Sequence, residues 1–362
     1  MNKLIQYVII IVIIIKVESE KIISNLIRFV NLSAKTVVNI GEPQRLFFFD
    51  MDLTRNTSLM ISPFYNKNDS STSVYKGKIT IIENEKNVQY QIMQDQFHLL
   101  DSKYILNDFN FYLTKSTRVT FEAILSLTFK YDDYDYSLVY QLYNKDVIDK
   151  KQFGMKITYD ILQGTLYLGG LPQKIVGNLV QNTLKVNDKY STWGFNIKRI
   201  IVGKYTFYFN DYVYLQSTQK TIYVKRDFYE FYNNTILREY YDNNTCYIRD
   251  IRDYRVKCIG REIKYLPPIE VIIQGYKFRI NKNNIFTCFL DICSLDMEIR
   301  EHWVFGTSFF ERYITLFDYD DKSVSFFYEE SLLYSNYNKS IIIIVIINSI
   351  IIIIDIIKIL LL

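Results

Sequence analysis

"HWVFGTSFFERYITLFDYDDKSVSFF", residues 302–327, sets short apolar runs between brief polar interruptions. The same texture extends back along the chain, where Asn, Asp, Lys and Gly clusters separate the runs, the pattern of a many-stranded sheet protein. The composition agrees, because 32 Tyr and 25 Phe set against only 12 Gly favour strands over helices. At 362 residues, 49% of them apolar, the chain can bury two separate cores. "KITIIENEKNVQYQIMQDQFHLL" (78–100) reads as a hairpin turning at Glu83 to Asn87, and "IEVIIQGYKFRI" (269–280) as another turning at Gln274-Gly275. Helical signals are weak, the best of them at 137–142 and 227–236. No solenoid repeat and no linker rich in Pro, Gly or Ser interrupts the pattern, so a boundary between lobes is expected near 172–187.

Several chemistries are excluded by what the chain lacks. The net charge of +4 comes from interspersed acids and bases with no dense basic stripe, so nucleic acid is not an expected partner. Only two histidines exist, His98 in "QFHLL" and His302 in "EHWVF"; both sit among apolar neighbours and neither adjoins G-x-S-x-G. A Ser/His/Asp or Cys/His triad therefore has no evident base. No P-loop or dinucleotide glycine pattern occurs, and no cofactor is expected. Cys246, Cys258, Cys288 and Cys293 lack the two close pairs of a zinc site. Their even number argues instead for two disulfides with three possible connectivities. Any hydrolysis would fall to carboxylates.

The ends of the chain point to secretion and to a membrane. Lys3, the run "LIQYVIIIVIII" and the small residues Val17 and Ser19 have the form of a signal peptide cleaved after residue 19. N-x-S/T acceptors at Asn31, Asn56, Asn68, Asn233, Asn243 and Asn338 fit a glycoprotein. Residues 341–362 are apolar apart from Asn348, Ser349, Asp355 and Lys358, as in a glycolipid-anchor signal with attachment at 335–340, or in a membrane span.

Several motifs carry a resemblance. Residues 302–327 resemble the closing segment of pepsin-like aspartic peptidases, W-I-L-G-D-x-F-L-R-x-Y-Y-x-V-F-D, with Trp303, Gly306, Phe309, Arg312, Tyr313, Phe317 and Asp318 in register. "TFEAILSLTF" resembles the family's F-D-G-I-L-G-L-G-F, and "FGMKI" with "GTLYLGGLP" its F-S-x-x-L and G-x-L-x-L-G-G. "STWGFNIKRIIVG" and "YLPPIEVIIQGYKFRI" are similar to second-lobe segments. The resemblance implies an all-β, bilobal fold with a cleft between an N-terminal lobe at 37–180 and a C-terminal lobe at 181–330. It implies a monomer, and for the cysteines a Cys258–Cys288 bridge that leaves Cys246 to Cys293.

It also implies where chemistry should sit, because these enzymes share one proton between two aspartates, one per lobe, each in a D-T/S-G-T/S loop. In "DMDLTRNTSLMI" (50–61), anchoring on Leu59-Met60-Ile61 puts Leu53 at the first aspartate and Thr54 at the threonine. The second loop, Leu215 to Lys220, puts Gln216 at the other aspartate and Ser217 beside it. The hairpin at 78–100 lies where the family has its mobile Gly-rich flap, with Glu83 at the flap tyrosine and Asn84, Lys86 and Tyr90 at its glycines. Ser126 takes the place of the glycine under the first loop. The expectation is a membrane-attached, proteolytically inactive homologue that binds a peptide or protein through a cleft lined by Thr54, Ser217 and Glu83. Two alternatives stand beside it. One is an active endopeptidase, which a one-residue shift bringing Asp52 into the first loop would permit if a second carboxylate were found. The other is a purely structural surface glycoprotein.

Overall fold

The computed structural model describes residues 21–329 apart from 31–32, 56–57, 62–63, 84–85, 100–104, 115–122, 130–135, 159–162, 188 and 249–254. The signal peptide, Asn31, Asn56, Asn84, Asn338 and the tail at 341–362 lie outside the described residues. Among those described, no helix is long and apolar enough to cross a membrane.

The fold is all-β and bilobal. Its described strands form sheets of thirteen, seven and four. The largest knits both ends of the chain together: Ile314–Asp318 pairs with Gln152–Thr158, while Ile23–Val30 pairs with Gln163–Leu168. Among the described residues the first strand is Ile23–Val30. Strand character follows from alternation, as in Ile269–Ile273, where Ile269, Val271 and Ile273 are buried and the residues between are not. The turn after it is set by Gln274 and Gly275, both at positive φ (50° and 88°), with Ile273 opposite Tyr276. A two-residue hairpin turn of this hand matches the strand twist. The hairpin of Val74–Glu83 and Lys86–Leu99 also forms, with Glu83 opposite Lys86. Tyr90, expected at a flap glycine, is instead buried against Tyr112.

One arrangement of four strands occurs twice. In the first lobe Arg45–Asp52 runs parallel to Ala123–Ser126, which pairs antiparallel with Leu59–Ile61, itself parallel to Ile105–Thr114. In the second, Tyr205–Leu215 runs parallel to Trp303–Phe305, which pairs antiparallel with Ile222–Val224, itself parallel to Met297–Ile299. Between the two halves lies an aromatic cluster centred on the fully buried Trp193, whose ring meets Phe129, Phe153, Phe317 and Tyr319 within 6.0 Å. Its indole N–H donates to the Leu127 carbonyl at 2.7 Å, which satisfies its one polar atom inside the core.

The cysteines pair otherwise than the family resemblance implied: the bridges are Cys246–Cys258 and Cys288–Cys293. The reason is register. Across the four-stranded sheet Cys246 stands opposite Cys258, Cys258 opposite Cys293, and Cys293 opposite Cys288. A Cys258–Cys288 or Cys246–Cys293 bond would have to span an intervening strand, about 10 Å, beyond disulfide reach.

His98 is buried, with Nδ1 3.3 Å from Gln44 Nε2 and Nε2 without a hydrogen-bond partner among the described residues. Burial lowers its pKa below the ordinary 6.5, against the opposing pull of Glu42 and Asp95. The folded state thus takes up the proton less readily than the unfolded chain. This contribution to stability is complete above pH 6.5 and is lost as the pH falls from there toward the lowered value. In urea titrations of wild type and His98→Gln, the stability difference between the two should shift in favour of the variant as pH drops below 6.5. An unchanged difference would contradict the assignment.

Candidate active site

The duplicated strand pattern fixes which loop residues correspond. Phe49 faces Ala123 as Val213 faces Trp303, and Leu59 faces Ile124 as Tyr223 faces Val304. The same number of residues separates Asp52 from Leu59 and Gln216 from Tyr223, so the two loops superpose without a gap. Asp52 corresponds to Gln216, Leu53 to Ser217 and Thr54 to Thr218. Leu53, expected at the position of the first acid, stands one residue beyond it. The two loops have the same length; the apolar run Leu59-Met60-Ile61 sits one residue further along than the motif anchored on it assumes, since Leu59 answers to Tyr223 and not to Ile222, so counting back from Leu59 stops one residue short of Asp52.

Each loop side chain has a definite place. Asp52 Oδ1 accepts the Thr54 N–H (2.8 Å), the Thr54 hydroxyl (2.7 Å) and the Arg55 N–H (3.2 Å), closing the start of the loop. Arg55 Nε lies 4.0 Å from Asp52 Oδ2. Gln216 Nε2 donates to Thr218 Oγ1 at 3.0 Å, while its Oε1 is buried and has no hydrogen-bond partner among the described residues. Asp50, the other acid of the stretch, is held on both oxygens, by the Ser33 hydroxyl at 2.5 Å and Lys35 Nζ at 3.1 Å. It is a buried ion pair within the sheet.

Ser217 does not line a cleft. It is fully buried, and its hydroxyl donates to the Met51 carbonyl immediately before Asp52. This bond draws the loop of one lobe against the loop of the other. The symmetry-related bond is missing, because Leu53 has no hydroxyl and is itself fully buried in the core. Glu83 closes the end of the long hairpin opposite Lys86.

What packs behind the loops differs between the lobes. A Cβ at Gly306 would come within 2.6 Å of the Gln219 and Lys220 carbonyls, so only glycine fits there. Ser126, its counterpart, keeps its side chain and donates its hydroxyl to the Arg55 carbonyl. Behind the second loop, Lys220 is buried and pairs with Asp296 at 3.1 Å, and Thr287 bonds to both.

Asp211 and Asp227, the described acids that flank the second loop in sequence, are engaged elsewhere. Asp211 lies five residues before Gln216 on an extended strand, about 16 Å away, and pairs with Lys225 at 2.6 Å. Asp227 is exposed at the start of the helix Arg226–Phe231, where it accepts the Phe228 N–H at 2.9 Å. Among the described residues no group of His, Cys, Asp and Glu could hold a metal ion. Of the glycosylation acceptors, Asn68 and Asn243 are exposed, whereas Asn233 is half-buried and accepts the Tyr241 hydroxyl at 2.5 Å.

Two substitutions test this geometry by thermal or urea unfolding. Ser217→Ala leaves the Met51 carbonyl without its cross-lobe donor and should cost about 1–2 kcal/mol. Asp296→Asn strands the buried Lys220 charge and should cost about 3 kcal/mol or more, whereas replacing both partners with apolar residues should cost much less.

The sequence model of the eukaryotic aspartyl protease family matches residues 39–328. No curated protein sequence matches the chain. The two disulfides and the family match fit a protein of the secretory pathway. With the match running through both lobes and both loops, the chain belongs to the eukaryotic aspartyl protease family.

Proposed function

We propose that this protein is a proteolytically silent member of its family that uses the space between its lobes to bind a peptide or protein segment. The observation that carries the proposal is the correspondence of Asp52 with Gln216. Aspartic proteolysis needs two close carboxylates sharing one proton, so that one can act as base on water while the other acts as acid. An amide does not titrate, so Gln216 cannot share a proton with Asp52. The threonine pair supports the same reading. Thr54 and Thr218 stand where the family has glycine, and both hydroxyls are engaged inside their own loops. The apolar tail at 341–362 and the leader at 1–19 support attachment to a membrane facing the secretory lumen or cell exterior.

An active endopeptidase has one observation in its favour, the presence of Asp52 at the loop position itself. The two readings separate on a peptide library incubated with the protein between pH 3 and 6. Retention of peptides without new termini is expected. Gln216→Asp supplies the missing carboxylate and should be the variant that acquires cleavage in the acid range. Wild-type cleavage that Asp52→Asn abolishes would overturn the proposal.

A further inference from the structure

The two disulfides lie in a single row across four adjacent strands, Cys246–Ile248, Val256–Ile259, Ile292–Leu295 and Phe286–Phe289. Residues directly opposite one another in a sheet share a face, so the four sulfurs stand side by side. The ladder distinguishes the three contacts. Ile259 N–H donates to the Thr245 carbonyl (2.9 Å) and Gly260 N–H to the Asp291 carbonyl (2.7 Å). These bonds make Cys246/Cys258 a non-hydrogen-bonded pair and Cys258/Cys293 a hydrogen-bonded one. The two bridged pairs have Cα separations of 4.0 and 3.9 Å. The central, unbridged pair belongs to the class with Cα atoms about 5.5 Å apart, which is within disulfide reach. Gly260 leaves room beside it, since a Cβ there would lie 2.8 Å from Cys293 Sγ.

Access is unequal along the row. Cys246, Cys258 and Cys293 are buried, whereas Cys288, on the edge strand, is exposed. An external thiolate can therefore reach one end of the row and little else.

We propose that Cys288 is an acceptor site for a small-molecule thiol, and that the row of cysteines acts as a relay that traps the adduct. The incoming thiolate attacks Cys288 Sγ, forms a mixed disulfide there and expels the Cys293 thiolate. Left in place, that thiolate would attack Cys288 again and reverse the reaction. Cys258 offers it another course. Cys293 lies on the side of Cys258 opposite Cys246, the direction from which an in-line displacement at sulfur comes. Attack forms Cys258–Cys293 and expels Cys246, which takes the proton that the incoming thiol gave up. One thiol is consumed, one mixed disulfide and one protein thiol are formed, and no oxidant or reductant is needed. The surviving thiol is then buried at the far end of the row, about 14 Å from Cys288, where it cannot undo the adduct.

The test uses the full chain in its native state with reduced glutathione as the probe, followed by acid quench, unfolding, alkylation of free thiols and non-reducing peptide mapping. Untreated protein should give Cys246–Cys258 and Cys288–Cys293. Treated protein should carry glutathione on Cys288, a Cys258–Cys293 link and an alkylated Cys246. A glutathione adduct on Cys288 with Cys293 alkylated and Cys246–Cys258 intact would overturn the relay, and absence of an adduct on Cys288 would overturn the site. In the double variant Cys246→Ala/Cys258→Ala the relay has no acceptor, and the Cys288 adduct should fall by at least about tenfold, because Cys293 competes at the high effective concentration of a neighbour. Should that variant fail to fold, the wild-type map alone decides the question.

Discussion

The bond from the Ser217 hydroxyl to the Met51 carbonyl is the contact on which the candidate site depends. Both residues are fully buried, and the bond ties together two loops that lie far apart in the chain. Each loop starts where a strand leaves a parallel pairing, so its first side chain is delivered to the junction of the lobes by the register of that pairing. The large sheet and the Trp193 cluster hold the lobes from the other side. Asp52 and Gln216 are thus placed by rigid elements.

The two halves keep the same strand pattern while their chemistry has diverged. The second loop retains the glycine behind it and the hydroxyl that reaches across. The first has a serine in place of the glycine and a leucine in place of the hydroxyl, yet it keeps the acid. Neither loop alone has the full set of features. A carboxylate at one loop position and an amide at the other can each hold a ligand by hydrogen bonds, and the fold alone does not assign the chemistry.

Polar groups inside the second lobe show how much of the architecture serves to hold the loops in place. Lys220 follows directly on the loop, and its ammonium is neutralised by Asp296 from the strand connection beyond the disulfide-bearing sheet. That links the loop to the row of cysteines. The hairpin Phe286–Phe289 and Ile292–Leu295 carries Thr287 into this network on one strand and Cys293 into the row on the other.

Strand-rich composition, the Gln274-Gly275 turn, the long hairpin and the motif in residues 302–327 were legible because each depends on residues near in sequence: alternation, turn geometry and local spacing. The register of the second loop was legible for the same reason, since its match to the motif needs no shift. The place of Leu53 was not legible, because nothing local fixes the register of the apolar run Leu59-Met60-Ile61 against the motif. Only the parallel pairing of Arg45–Asp52 with Ala123–Ser126 decides it. The disulfide partners were hidden in the same way, because cross-strand register between segments joined by long connections is a property of the folded sheet. Sequence by itself determined the family and the fold class. Tertiary structure alone decided that Asp52 answers to Gln216, that Ser217 joins the lobes, and that the four cysteines stand in one row.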